Sequence, residues 1–244
     1  MKVVLADIST YQVNLPEYYR RLLLSRLKAE AEIRTLRLGL IPLRPGLTYS
    51  RGLLIVAASL KQMGHEVKYV VYSDEEDRQR LLGLISEADI LCVTAVTASI
   101  HLAAKLCEVA KNVNPCIVNI VGGHHIKALP EETLQVYPSF DIAVSGPGEV
   151  ILPEIILNLQ DLAAVPNVAF RRQNGDIERS QGRLLLKEGV SLLPAYELLY
   201  RSLDKYAHNV RTQDGCPYEC NFCIERRSWT GNWAIRPITS VLEE

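Results

Sequence analysis

Three cysteines near the end of the sequence carry its strongest chemical signal. Cys216, Cys220 and Cys223 follow the spacing C-x-x-x-C-x-x-C. Three thiolates this close together can converge on one metal centre, and thiolates are the usual ligands of iron–sulfur clusters. Three protein ligands leave one iron of a four-iron cluster open, and an open coordination position at a metal can bind a substrate. The spacing therefore favours a catalytic iron–sulfur centre.

Zinc binding, a disulfide and free thiols are the competing interpretations of these three cysteines. A structural zinc site needs four ligands, but His208 is the nearest histidine and the sequence has no second C-x-x-C pair. A disulfide is disfavoured because the group is odd-numbered and we expect a reducing compartment. Zinc and unliganded thiols stay open as alternatives.

The bulk composition is that of an ordinary globular protein. The chain has 244 residues, 48% hydrophobic and 23% charged, which indicates one or two domains. The formal net charge of −1 gives no electrostatic reason to expect nucleic acid or an anionic membrane as a partner. The longest apolar run, residues 53–60, is far shorter than the roughly 20 residues that span a bilayer. Asp7 interrupts what would be the apolar part of a signal peptide, so we expect a cytoplasmic protein.

Short apolar runs alternate with helical patterns through the first 160 residues. This alternation predicts an α/β fold with a doubly wound, parallel, five-stranded sheet. Strands covered by helices on both faces are continuous apolar runs, as they are here. The predicted strands lie at residues 2–7, 66–72, 90–93, 117–121 and 141–144.

The pattern divides the chain into three segments. Residues 1–162 form the α/β domain, with a helix predicted over residues 16–36. Residues 163–207 form a small hairpin, turning at residues 173–176, and a connector. Residues 208–244 begin with a strand at 208–212 that leads into the three cysteines. The remaining cysteines, Cys92, Cys107 and Cys116, are predicted to be buried core thiols.

The cysteine loop resembles the cluster loop of radical S-adenosylmethionine enzymes. The resemblance rests on Gly215-Cys216-Pro217, on the cysteine spacing and on Phe222 just before the last cysteine. It implies that the three cysteines hold a 4Fe-4S cluster whose unique iron chelates S-adenosylmethionine. One electron, from a donor such as flavodoxin or ferredoxin, would then release a 5′-deoxyadenosyl radical. The resemblance places Phe222 near the adenine.

The first 160 residues resemble the cobalamin-binding domain that precedes the barrel in one large radical subclass. In such a domain the nucleotide tail of cobalamin would pass between the loop from Thr94 to Thr97 and the turn at Gly122-Gly123, with His124 beside them. Paired glycines allow close approach to the backbone, and threonine hydroxyls can bind polar groups. The matching stretches are residues 52–60, 64–67, 89–94, 121–125 and 141–149.

Simpler uses of the same residues stay open. A Gly-Gly pair after a strand is often only a turn, and Thr94 and Thr97 could cap the next helix. Residues 7–12 contain no histidine, so we expect no lower cobalt ligand from the loop after the first strand.

The resemblance implies a cobalamin-dependent radical S-adenosylmethionine enzyme, with methyl transfer to an unactivated centre of a small molecule as the favoured reaction. Rearrangement and cyclisation are other reactions of the subclass. About twenty residues follow Cys223, whereas a complete (β/α) barrel needs several more strand–helix units. We therefore expect an incomplete barrel: a shortened gene product, an expressed fragment, or one part of a split enzyme completed by a second chain. In that case the chain binds cobalamin, with or without the cluster, and does not catalyse a reaction by itself.

Overall fold

The structure, a computed structural model, describes most of the chain in separate ranges. The helix predicted over residues 16–36 and the histidine His208 lie outside them. The described residues are 1–8, 49–72, 75–182, 184, 192–199, 209–218, 220–227 and 233–244.

Strands and helices alternate as the sequence predicts, with ends that differ by a few residues. The described strands are β1 (Lys2–Ile8), β2 (Glu66–Tyr72), β3 (Ile90–Thr94), β4 (Val118–Gly122), β5 (Ile142–Val144), β6 (Val168–Arg171), β7 (Ile177–Arg179), β8 (Gln213–Gly215) and β9 (Trp233–Ile235). The described α-helices are α1 (Arg51–Gln62), α2 (Glu75–Ile85), α3 (Ile100–Val113), α4 (His124–Ala128), α5 (Pro130–Val136), α6 (Gly148–Leu157) and α7 (Ile238–Glu243). Among these, no helix combines the length and apolar character needed to cross a membrane.

The large sheet contains seven strands in the order β2-β1-β3-β4-β5-β6-β7. The first five are parallel, which confirms the predicted doubly wound arrangement. The hairpin that we assigned to the connector instead extends this sheet, because β6 pairs antiparallel with β5 and β7 with β6. The sheet therefore has seven strands, two more than the five that we predicted. The domain boundaries at residues 162 and 207 stay predictions.

Two apolar layers cover the two faces of the sheet. Successive residues of β1 point to opposite faces, so Val3 and Leu5 join the layer that includes α1 and α6. Val4 and Ala6 join the layer beneath α2 and α3. Burying a large aliphatic side chain stabilises the fold by about 1.5–3 kcal/mol. These two layers are therefore the main source of stability for the sheet.

The predicted core thiols are only partly confirmed. Cys92 and Cys107 are buried, and burial raises the pKa of both thiols well above the ordinary value. Cys116 is exposed, contrary to the prediction. It lies in the turn between α3 and β4, where its N–H donates to Asn114 Oδ1 at 3.2 Å. The apolar residues after Cys116 lead into β4, which begins at Val118, while the turn itself faces solvent.

The strand before the cysteine loop is shorter and later than predicted. Residues 209–212 are irregular, and β8 covers residues 213–215 only. Within the described ranges β8 pairs antiparallel with β9, in a register that joins Gly215 to Trp233. The structure thus shows a two-stranded ribbon at this point and does not show the parallel start of a barrel.

A buried carboxylate fastens the last helix to the α/β unit. The Glu244 side chain is 0% exposed, and its two oxygens accept from Arg51 Nε and Nη2, both at 2.7 Å. Tyr196 donates to the same carboxylate at 2.9 Å, and Arg236 donates to it as well. Burial alone would raise the pKa of Glu244, but the hydrogen bonds from both arginines and the tyrosine outweigh it and lower this pKa to about 2.

Replacing Glu244 by Gln should destabilise the protein strongly, because Arg51 and Arg236 would remain buried without a counter-charge. We expect a loss of about 3 kcal/mol, the usual cost of breaking a buried ion pair on one side. The depressed pKa means that the carboxylate contributes fully above its ordinary value of 4.5 and that this contribution is lost as the pH falls toward about 2. Urea unfolding of both proteins between pH 7 and pH 3 measures the difference.

The exposed pair of Lys2 and Glu87 supplies the control for this measurement. Its side chains are 49% and 74% exposed, so Glu87→Gln should change the free energy of unfolding by less than about 1 kcal/mol. Equal effects of the two substitutions, or a Glu244→Gln effect that is constant with pH, would contradict the assignment.

Candidate functional site

The carboxyl ends of the parallel strands bring several predicted site residues to one edge of the sheet. Thr94, the last residue of β3, pairs in register with Gly122, the last residue of β4. The strand order reverses between β1 and β3, and ligands of doubly wound sheets bind outside the carboxyl ends at such a reversal. We call the edge formed by Thr94–Thr97 and Gly122–His124 the strand-end edge.

Gly123 closes the turn after β4 onto the loop after β3. Its φ is +102°, in the region that favours glycine, and a Cβ at this position would lie 2.5 Å from Ala95 O and 2.8 Å from Thr94 Oγ1. By contrast, a Cβ on Gly122 would meet only Val144 O, at 3.8 Å. Gly123 therefore serves close packing within the protein, whereas Gly122 leaves room at the edge. The contact of either glycine with a cofactor stays a prediction.

Neither Thr94 nor Thr97 caps the helix that follows β3. The N-cap residue of α3 is Ser99, which makes no side-chain cap hydrogen bond. The capping alternative for Thr94 and Thr97 is therefore wrong. Thr97 is exposed, and its Oγ1 lies 3.0 Å from Nδ1 of His125. Burial lowers the pKa of His125, which favours a neutral imidazole at the edge.

A short helix that the sequence analysis missed starts directly after the turn. This helix, α4, begins at His124, and its His124 and Lys127 side chains contact the segment that follows the cysteines. His124 Nε2 lies 2.9 Å from Glu225 Oε1, and Lys127 Nζ lies 2.9 and 3.2 Å from the two oxygens of that carboxylate. The hydrogen bond from His124, with Lys127 adding to it against the effect of burial, lowers the pKa of Glu225 to about 2. Glu225 was not predicted as a site residue.

The cysteine loop connects β8 to a 3-10 turn at Ile224–Arg227. All three thiols are free; Cys216 and Cys223 are half-buried and Cys220 is exposed. The N–H of Cys223 donates to the carbonyl of Cys220 at 3.0 Å. Phe222, the residue predicted to lie near an adenine, is 93% exposed.

The three thiols of this loop are suitable ligands for an iron–sulfur cluster, but they do not lie together in one site. Within the part of the chain that the structure describes, which includes all three cysteines, no group of three His, Cys, Asp or Glu residues lies close enough to hold a metal ion. Cluster binding would therefore require the loop to close. The assignment of the cysteines as ligands stays a prediction.

A cavity of about 500 Å³ lies elsewhere, between the end of α1 and α7, and includes none of the predicted site residues. Its lining consists of Gln62, Leu192, Leu193, Pro237, Thr239, Ser240 and Glu243.

Comparison with known proteins finds a family match for the α/β unit. Residues 40–156 match the family model described as the B12 binding domain. The α/β unit is thus similar to B12-binding domains, and the relatives of the chain include a cobalamin-dependent radical SAM methyltransferase.

Three relatives show the range of this similarity. An uncharacterized methyltransferase of Pyrococcus horikoshii is 27% identical over 205 residues, which cover 78% of this chain and 44% of that protein. The anaerobic magnesium-protoporphyrin IX monomethyl ester cyclase of Rubrivivax gelatinosus is 25% identical over 184 residues, 70% of this chain and 33% of the cyclase. The cobalamin-dependent radical SAM methyltransferase TokK of Streptomyces tokunonensis is 27% identical over 158 residues, 59% of this chain and 23% of that enzyme. The chain spans less than half the length of each of these relatives.

Substituting Gly123 by Ala should destabilise the α/β unit, because the new Cβ would collide with the backbone of Ala95 and would occupy a positive-φ position. The backbone strain alone costs about 1–3 kcal/mol, so we expect a total loss above about 2 kcal/mol in chemical unfolding.

Gly122→Ala is the matched control one residue earlier. Its Cβ has room and its backbone needs no positive φ, so its effect should stay below about 1 kcal/mol. Similar losses for the two variants would show that the turn does not pack as described.

Proposed function

We propose that the chain binds cobalamin at the strand-end edge and a 4Fe-4S cluster in the cysteine loop, as part of a cobalamin-dependent radical S-adenosylmethionine enzyme. The observation that carries this proposal is the B12-binding match over residues 40–156. The described part of this range belongs to a doubly wound sheet, and the exit of the cysteine loop lies beside the strand ends of that sheet. The family match supports the cobalamin part most directly. The cluster part is supported by the three free thiols and by the named relatives.

Cobalamin would be held by Thr94, Thr97 and Gly122. Thr94 is half-buried beside the reversal of strand order, Thr97 is exposed next to it, and Gly122 leaves the adjoining strand end open. The imidazole of His125 adds a polar group beside Thr97. These groups would bind polar parts of the cofactor and orient it, while Gly123 fixes the shape of the edge.

Cys216, Cys220 and Cys223 would hold the cluster, whose open iron binds S-adenosylmethionine in enzymes of this kind. The bound cluster supplies one-electron chemistry, and cobalamin supplies a carrier for a methyl group. The proposed setting is the cytoplasm, where the thiols stay reduced. An electron donor such as flavodoxin or ferredoxin is the proposed redox partner, and Phe222 is proposed to contact the adenine once the loop has closed.

Methyl transfer to a small molecule is the proposed reaction. Two of the three relatives described above are named methyltransferases, and the other is named a cyclase, so cyclisation is the second candidate. The described residues of this chain contain no barrel, so substrate contacts and catalysis would require further strands, from additional residues or from a second chain.

Cobalamin binding can be tested by filling the open strand end. Gly122→Leu should weaken the binding of hydroxocobalamin about tenfold or more, which corresponds to about 1.4 kcal/mol, because a side chain would occupy the place of the ligand. Equilibrium dialysis with detection by visible absorption measures the affinity. Gly83→Leu, at an open position in α2 away from the edge, is the control and should leave it unchanged. Failure of the unaltered protein to retain cobalamin would overturn this part of the proposal.

Cluster binding can be tested by anaerobic reconstitution with iron and sulfide. The protein should show the broad absorption of a 4Fe-4S cluster and, after reduction, its electron paramagnetic resonance signal. Cys220→Ala removes one of three ligands and should abolish both signals, whereas Cys116→Ala, at an exposed cysteine outside the loop, should preserve them. Tightly bound zinc in place of iron would contradict the assignment.

A further inference from the structure

We propose that Glu225 is a positioning residue that seats the cysteine loop against the strand-end edge by pairing with His124 and Lys127. This inference rests on the proposed function, because it concerns the distance between the two cofactor sites. Glu225 itself lies outside the cysteine motif and is not among the predicted cobalamin contacts.

The contact lies close in sequence to both the cysteine motif and the turn at Gly122-Gly123. Glu225 lies two residues after Cys223, and His124 lies one residue after Gly123. The carboxylate is 2.9 Å from His124 Nε2 and 2.9 Å from Lys127 Nζ, so one acid bridges two donors of α4. Since the contact is only one or two positions along the chain from each element, it fixes where the end of the cysteine loop lies relative to the turn after β4.

Partial burial distinguishes the pair of Lys127 and Glu225 from ordinary surface ion pairs, whereas the His124 side chain is 62% exposed. The side chains of Lys127 and Glu225 are 19% and 29% exposed, compared with 49% and 74% for the surface pair of Lys2 and Glu87. Partial exclusion of water strengthens the attraction between opposite charges. Exposed pairs, by comparison, contribute little. The Glu225 contact therefore attaches the end of the cysteine loop to α4.

The positioning role separates loading of the cluster from its placement. Three thiols within one loop can bind iron wherever the loop lies, so loss of the contact should leave cluster formation intact. Without the contact, the loop should be less protected from hydrogen exchange, and the distance from the cluster to the strand-end edge should change. A residue needed only for folding would not produce this pattern.

A charge exchange between the two elements tests the proposal in the cofactor-free protein. Glu225→Lys and Lys127→Glu should each raise hydrogen exchange in residues 213–227 and 124–128 about fivefold, and the double variant should restore most of the protection. Glu225→Gln, which keeps the shape of the side chain, should give an intermediate increase, and circular dichroism checks that each variant is folded. Glu87→Lys, at the exposed pair, is the matched control and should change neither segment. Unchanged exchange in the single variants, or no recovery in the double variant, would overturn the proposal.

The loaded protein separates this proposal from the proposed function. If the unaltered protein binds neither cobalamin nor a cluster, the proposed function fails, while the exchange experiment still decides the contact. If both cofactors load, the paramagnetic resonance signal of cobalt(II) should be broadened by the reduced cluster nearby. That broadening should be lost in Glu225→Lys at full cluster content and should return in the double variant. Broadening that persists in Glu225→Lys would overturn the positioning role.

Discussion

Everything described for this protein depends on five parallel strands that end at the same edge. Parallel pairing needs helices on both faces, and the continuous apolar strands meet that need by filling two separate layers. Once the sheet forms, Thr94 and Gly122 become direct neighbours although they are distant in the sequence. The site is thus a consequence of topology, because no local segment contains it. Gly123 then closes the turn against Ala95 and gives the edge its fixed outline.

Two acidic side chains attach the segment with the cysteines to this sheet, in two different environments. The Glu244 side chain is completely buried, so it needs two arginines and a tyrosine to offset the loss of hydration. Glu225 is partly exposed, and a histidine and a lysine of one short helix suffice for it. The first contact holds the segment at α1 and the second at α4. Two separated attachments restrict rotation of the segment in a way that one contact could not.

The sequence predicts the features that arise from periodicity and misses those that arise from contacts at long range. The parallel strands were predictable because burial on both faces imposes apolar runs. The hairpin at residues 168–179 was recognisable as a hairpin, but nothing local indicates that β6 would pair with the edge at β5. Helix α4, five residues between a glycine and a proline, is too short for a helical pattern. Glu225 was missed because an ion pair between distant residues has no local signature.

The open arrangement of the cysteine loop is consistent with the chemistry proposed for it. Metal binding can be coupled to the ordering of its ligands, and the free energy of binding then contributes to that ordering. Here the ribbon of β8 and β9 holds the chain just before Cys216, and Glu225 holds it just after Cys223. Only the short loop between these two points has to rearrange, and fixing both ends of a short loop lowers the conformational entropy that closure would cost. The same two points decide where a closed cluster would lie, so the attachment at Glu225 bears on geometry as well as on stability.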